Sequence, residues 1–267
     1  MGYEFGNSKL INGVTWGVVA QNVHPTGAYM VRCQLPWIKS TEAKDDEDFL
    51  TTWCRVLSPG AGGKRGFYCL PEVGDEVLLA FVHGNLRQPV VLGGAWNDTD
   101  LSPHGDNAPP ESTDPLGNAL GIADAAKDSK KGDGKNNARF FISRAGSTML
   151  FDDTEGKEKI SFFTAKGTML NLSDEKSTIA IYDHTQEVYL VMDAKNKKII
   201  METKKGSIDI FCKEGTFNVE AKIITMKSKE DTTHKAGAKW LQESTGTMDL
   251  KAGGTQTTKA PKIDLNP

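Results

Sequence analysis

The sequence predicts an all-β protein in two unlike parts, a small N-terminal barrel followed by a long array of short strands. Three observations predict it. Short apolar runs bounded by Gly, Pro, Asn and Asp recur along the first hundred residues, the pattern of brief strands joined by turns. Alternating apolar positions separated by polar turns recur through the second half. Composition also changes sharply between the halves: 22 of the 26 Lys follow residue 126, whereas nine of the 11 Pro and four of the five Trp precede residue 116. A shift of that size marks two architectures in one chain.

Bulk properties narrow the function classes. A chain of 267 residues has room for one or two domains. A net charge of -3 argues against a dedicated nucleic-acid binder. No apolar run approaches the roughly 20 residues needed to cross a bilayer. The opening MGYEFGNSKL has no basic start followed by an apolar core, so no signal peptide is expected, and synthesis and assembly in the cytoplasm follow. Cys33, Cys54, Cys69 and Cys212 show no C-x-x-C spacing and read as buried reduced thiols rather than a disulfide framework.

In chain order, residues 1–12 are polar apart from Tyr3, Phe5, Leu10 and Ile11, and read either as a frayed terminus or as a docking arm. Residues 13–98 carry five β segments, Val14 to Val23, Ala28 to Leu35, Thr52 to Val56, Val77 to Val82 and Val90 to Leu92. Frequent turns and little helical periodicity point to a small barrel. The stretch 67–97, FYCLPEVGDEVLLAFVHGNLRQPVVLGGAWN, is its most informative part. Turn chemistry introduces each apolar run there, and Gly93-Gly94 allows a backbone geometry or close approach that a side chain would block. The loop Ser58 to Gly66 fails as a phosphate cradle, because Gly63-Lys64 is followed by Arg65 and then by a strand-like run rather than a helix.

These residues resemble a known family. LPEVGDEVLLAF followed by QPVVLGGAWN, with Gly17-Val18-Val19, Tyr29 to Trp37 and Trp53-Cys54-Arg55-Val56 upstream, is similar to the OB-fold domain of contractile-injection spikes, the phage baseplate assembly protein V and VgrG spikes. The match covers about 80 residues and is specific through its ordered series of motifs. VgrG-type chains carry a large tube-hub domain ahead of this barrel. The chain is therefore expected to be the short phage-type form, with a separate tube-hub or baseplate protein docking at Tyr3, Phe5, Leu10 and Ile11.

Residues 99–137 contain Pro103, Pro109-Pro110 and Pro115 among small and charged residues, and read as an extended connector with room for a short helix around Leu120 to Ala126. From 138 to 267 the apolar pairs recur: Met149-Phe151, Ile160-Phe162, Leu170-Leu172, Ile179-Ile181, Val188-Leu190, Ile208-Ile210, Phe217-Val219, Ile224-Met226, Met248-Leu250 and Ile263-Leu265. The nearest internal echo sets Ala145 to Leu150 against Ala165 to Leu170, 20 residues on. Strands this short and this poor in aromatics are expected not to fill a core within one chain, and a lone array would leave long unpaired edges. Three identical chains winding about one axis would pair those edges and bury each apolar row.

That shape resembles the triple-stranded β-helix of the same family. The family implies a homotrimer with a PAAR-type tip protein on Ile263, Asp264, Leu265, Asn266 and Pro267, and a transient contact with the target membrane. The expected function is a structural central spike that caps the tube and pierces an envelope. The alternatives are a trimeric receptor-binding or adhesin fibre, or an OB-fold nucleic-acid-binding module. No catalysis, cofactor or metal is expected. The five His are scattered, no G-x-S-x-G or H-E-x-x-H occurs, and Asp152-Asp153 lacks the EF-hand order.

Overall fold

The computed structural model describes residues 11–39, 48–103, 112–113, 119–120 and 136–261. Among the described residues all regular structure is β, apart from one 3-10 turn at Val82–Gly84. The first part comprises β1 (Val14–Gln21), β2 (Met30–Lys39), β3 (Asp48–Leu50), β4 (Cys54–Val56), a two-residue hairpin of β5 (Ala61–Gly62) and β6 (Arg65–Gly66), β7 (Glu76–Phe81) and β8 (Pro89–Gly94). Sheet order is β1-β7-β8-β4-β2-β3, and an added β1–β2 pairing closes a five-stranded barrel with β3 attached to β2. Closure removes free sheet edges, which suits a domain too small to cover them otherwise.

Alternation builds the interior. Val77, Leu79 and Phe81 of β7 point inward with Val19, Val31, Cys33, Leu35, Cys54 and Val91, and the residues between them face out. Gly17 is where β1 passes closest to that core. A Cβ there would sit 2.7 Å from Leu79 Cδ1 and 3.0 Å from the Gln34 carbonyl oxygen. The Gly17→Val variant is therefore expected to cost about 1–3 kcal/mol of barrel stability by overpacking, read as a lower urea midpoint. An unchanged midpoint would contradict this packing.

Two expectations for this part are corrected. Gly93 has open space where a Cβ would go, and Gly94 meets only the Glu76 carbonyl at 3.7 Å, so neither is a close approach. What the pair accompanies is a bulge: Leu78 faces Gly93 while Leu79 faces Val91, leaving Leu92 as the extra residue. The cysteines also divide. Cys33 and Cys54 are buried and Cys69 and Cys212 are exposed, all four as free thiols. A hydrogen bond to Cys54, then burial, push the Cys33 thiol up and keep it protonated.

Two short strands, β9 (Ser112–Thr113) and β10 (Ala119–Leu120), pair with each other in the connector. The helix expected around Leu120 to Ala126 lies outside the described residues beyond that strand. A second sheet follows, made of β11 (Ala138–Ile142), β12 (Thr148–Asp152), β13 (Lys159–Phe163), β14 (Met169–Ser173), β15 (Thr178–Tyr182), β16 (Val188–Asp193) and β17 (Lys198–Thr203). It is a simple antiparallel meander in which each strand pairs with the next. This corrects the expectation that the tail's strands do not fill a core within one chain, since Met169, Ala180, Tyr182 and Val191 form one buried cluster and Ala138 and Leu150 another. Through residue 203 their ladder bonds and one buried face are supplied within the chain.

The internal echo is corrected as well. Gly146 and Gly167, both at positive φ, occupy the same place in their turns, so the equivalent positions are 21 residues apart, not 20. Thr148 and Met169 thus both open a strand on the buried face, whereas Met149 points the other way. A shift of one residue moves a side chain to the opposite face.

The chain divides into two units at Ile208/Asp209. Among the described residues the second unit holds no strand or helix, and every one of its residues is exposed. Bends recur at 213–215, 222, 229–230, 237–238, 245–246 and 253–254, an interval of about eight residues.

Candidate partner-docking surfaces

The meander has two chemically different faces. One is buried and partly polar, with the row Phe140, Leu150, Ser161, Asn171, Ala180, Val191 and Ile200 running across the ladder. The Ser161 hydroxyl donates to Asn171 Oδ1 at 2.9 Å, and Lys159 Nζ lies 3.5 Å from the buried Asp152 carboxylate. These four side chains are thus paired, as burial requires, while Thr178 Oγ1 on the same face lacks a hydrogen-bond partner among the described residues.

The other face is open and almost wholly apolar. Register aligns Phe141, Met149, Phe162, Leu170, Ile181, Leu190 and Met201 in one cross-strand row. Phe151, Ile160, Leu172, Ile179, Met192 and Ile199 form a second row beside it. Every member is exposed or half-buried, Ile199 reaching 74%. Isolated surface apolar residues need no explanation, but two aligned rows spanning the sheet exceed what soluble monomers expose. A cavity of about 650 Å³ opens along the second row between Leu172, Ile179, Met192 and Ile199, rimmed by the turns that carry Asp174 and Lys197.

Turn geometry holds these rows in register. Asp183 accepts hydrogen bonds from the Thr185 hydroxyl, from Val188 N at 2.8 Å and from Thr185 N at 2.8 Å. These donors, the hydroxyl first, lower its pKa from 3.8 to about 2. Because the folded value lies below the ordinary one, this support is complete above the ordinary value and is lost as pH falls through about 2. The Asp183 carboxyl signal in an NMR titration is expected to move with a midpoint near about 2. A midpoint near 3.8 would show the turn to be open.

The second unit repeats the same problem in stronger form. Ile210, Phe211, Phe217, Val219, Ile224, Met226, Trp240, Leu241, Met248 and Leu250 are all exposed. Among the described residues beyond Lys204, no backbone amide donates to a backbone carbonyl. In this unit a few backbone groups are met by side chains, as where Ser228 accepts from the Glu230 amide and Ser244 from the Gly246 amide, and ladder partners are absent among the described residues.

The residues expected to dock partners are placed as follows. Ile11 packs against the barrel core, and its amide donates to the Gly84 carbonyl at 2.9 Å. Tyr3, Phe5 and Leu10 lie outside the described residues, as do Ile263, Asp264, Leu265, Asn266 and Pro267. The two rows take in the pairs Met149-Phe151, Ile160-Phe162, Leu170-Leu172 and Ile179-Ile181 that the alternation singles out, and the register adds that they line up across the sheet on its open face. Their signal is the period-two alternation itself, which sets large apolar side chains on the open face from Met149 to Met201 while the buried face mixes in Ser161, Asn171, Ser173 and Thr178. Among the described residues no group of three or more His, Cys, Asp or Glu is arranged to hold a metal, and no helix is long and apolar enough to cross a membrane.

The closed five-stranded barrel and the strand-rich sheet after it define an all-β protein built on an OB-type barrel. Residues 15–96 match the family of Type VI secretion system/phage-baseplate injector OB domains. The type VI secretion system spike protein VgrG2a of Pseudomonas aeruginosa is 32% identical over 88 residues, which are 33% of this chain and 10% of that protein. VgrG5 of the same organism is 30% identical over 91 residues, 34% of this chain and 11% of that protein. VgrG3 of Vibrio cholerae is 28% identical over 74 residues, 28% of this chain and 7% of that protein. The matched segment thus spans about a tenth of the length of these relatives. The N-terminal third of the chain is a VgrG-like, baseplate-type spike OB domain.

Proposed function

We propose that the protein is the structural central spike of a contractile injection particle, assembled as a homotrimer, with the barrel toward the tube and the tail as the piercing needle. The observation that carries this reading is the surface left open after the barrel: two apolar rows on the meander, then a stretch of extended chain with neither ladder partners nor a buried side chain. A second and third copy would cover the rows and complete the ladders. The eight-residue spacing of the bends suits three strands winding in step, one short strand per bend.

The tail then works in two regimes. Residues 138–203 carry their own ladder, so association there buries side chains. Residues 209–261 would depend on neighbouring chains for backbone pairing as well. Each ladder bond contributes about 0.5–1.5 kcal/mol net, and an interwound needle must break many together to bend. That resistance lets sheath contraction act as force on a narrow point, with no catalytic step.

The barrel favours this reading over an adhesin fibre, because the matching relatives are named as spike proteins. A vibrio relative is named an actin cross-linking toxin, but the match to it covers 6% of that protein. A tube-hub protein at residues 1–12 and a PAAR-type tip protein on Ile263 to Pro267 complete the proposed assembly. Ending the chain at Ala260 is expected to abolish co-purification of the small tip protein while leaving the spike trimeric. Retention of the tip protein would contradict the assignment of those five residues.

A further inference from the structure

We propose that the aromatic loop of the barrel, Phe67 and Tyr68, is a second contact between copies of this chain, continuous with the apolar rows of the meander. This rests on the trimeric reading above. The loop is held at several points. Ser58 Oγ donates to the Phe67 carbonyl at 2.7 Å, and the Phe67 amide donates to the Gly60 carbonyl at 2.9 Å. The Tyr29 hydroxyl donates to the Cys69 carbonyl at 2.6 Å and accepts from the Cys69 amide at 3.2 Å.

Despite that fixation the rings stay in solvent, Phe67 at 52% and Tyr68 at 77% exposure, with Tyr68 tilted against Tyr29 at 4.8 Å. A loop fixed by hydrogen bonds while its rings remain outside is pre-organised, so a partner binding it loses little side-chain entropy. Rigid exposed aromatics are the residues that interfaces favour.

Continuity identifies the partner. The ring of Phe67 stands edge-on to Phe141 at 6.3 Å, and Phe141 is the first member of the first apolar row. Beside it, Arg144 of the turn after β11 pairs with Glu72 of the barrel at 3.0 Å across the same junction. One apolar surface therefore runs from Met201 through Phe141 onto the barrel loop. A copy seated on the rows reaches Phe67 and Tyr68 without leaving that surface.

The test is hydroxyl-radical footprinting of the full chain, with sedimentation of the same samples. Oxidation of Tyr68 is expected to be about fivefold slower in the wild-type assembly than in an Ile181→Asp, Leu190→Asp variant that sediments as a monomer, as for an aromatic buried in an interface. Equal oxidation in a trimeric wild type and the monomeric variant would overturn the contact and leave the trimer standing. A monomeric wild type would overturn both. Protection appearing only when single-stranded oligonucleotide is added would assign the loop to base stacking and overturn the proposal.

Discussion

Aspartate at both Ile181 and Leu190 is expected to convert the full chain from trimer to monomer at micromolar concentration. The two residues face each other across β15 and β16 in the middle of the first row, flanked by Leu170 and Met201. Burying each apolar side chain contributes about 1.5–3 kcal/mol, and the loss recurs in every copy. The variant also drives carboxylates into a seam that gives them no partner, at a further cost of several kcal/mol per charge. Because both positions lie on the open face, the meander's own core of Met169, Ala180, Tyr182 and Val191 is untouched. The far-UV spectrum should therefore keep its β character while sedimentation changes. A variant that remains trimeric would remove the rows from the interface.

Proline at Thr225 is expected to have an effect almost as large, and one that separates the two pictures of the needle. Within one chain Thr225 is exposed and lies in a stretch with no ladder bonds, so removing its amide costs nothing there. In an interwound needle the same change deletes a ladder donor in each of three strands and leaves its acceptor unpaired, a cost of about 1–3 kcal/mol per copy. Thr225→Pro is thus expected to lower the guanidinium midpoint of the tail and expose it to protease, with Thr225→Ala close to wild type. Equal behaviour of the two variants would mean that residues 209–261 do not pair with other chains.

The barrel was legible because turn residues and apolar runs coincide. The segment expected at Val77 to Val82 is observed at Glu76–Phe81, and that at Val90 to Leu92 at Pro89–Gly94. The single strand expected at Thr52 to Val56 is only Cys54–Val56, preceded by a separate β3, because Thr51 turns inward to accept the Cys33 amide at 3.0 Å. Gly17 was legible only as part of the Gly17-Val18-Val19 motif, because its packing role depends on Leu79 and Gln34, which only tertiary structure brings near.

The tail was harder for a physical reason. Strands of five residues with apolar side chains on alternate positions satisfy both an intrachain meander and an interchain ladder, and local pattern does not choose between them. Turn geometry chooses. Through Lys197 each turn carries a residue at positive φ that folds the chain back on itself, including Ser177, Gln186 and Lys197, which lack the usual glycine. Beyond Gly206 the chain only bends.

Sedimentation equilibrium of the full-length chain at micromolar concentration tests the account most directly. The expected result is one species with three times the mass of the chain, unchanged in high salt because the seam is apolar. A single species with the mass of one chain would contradict it.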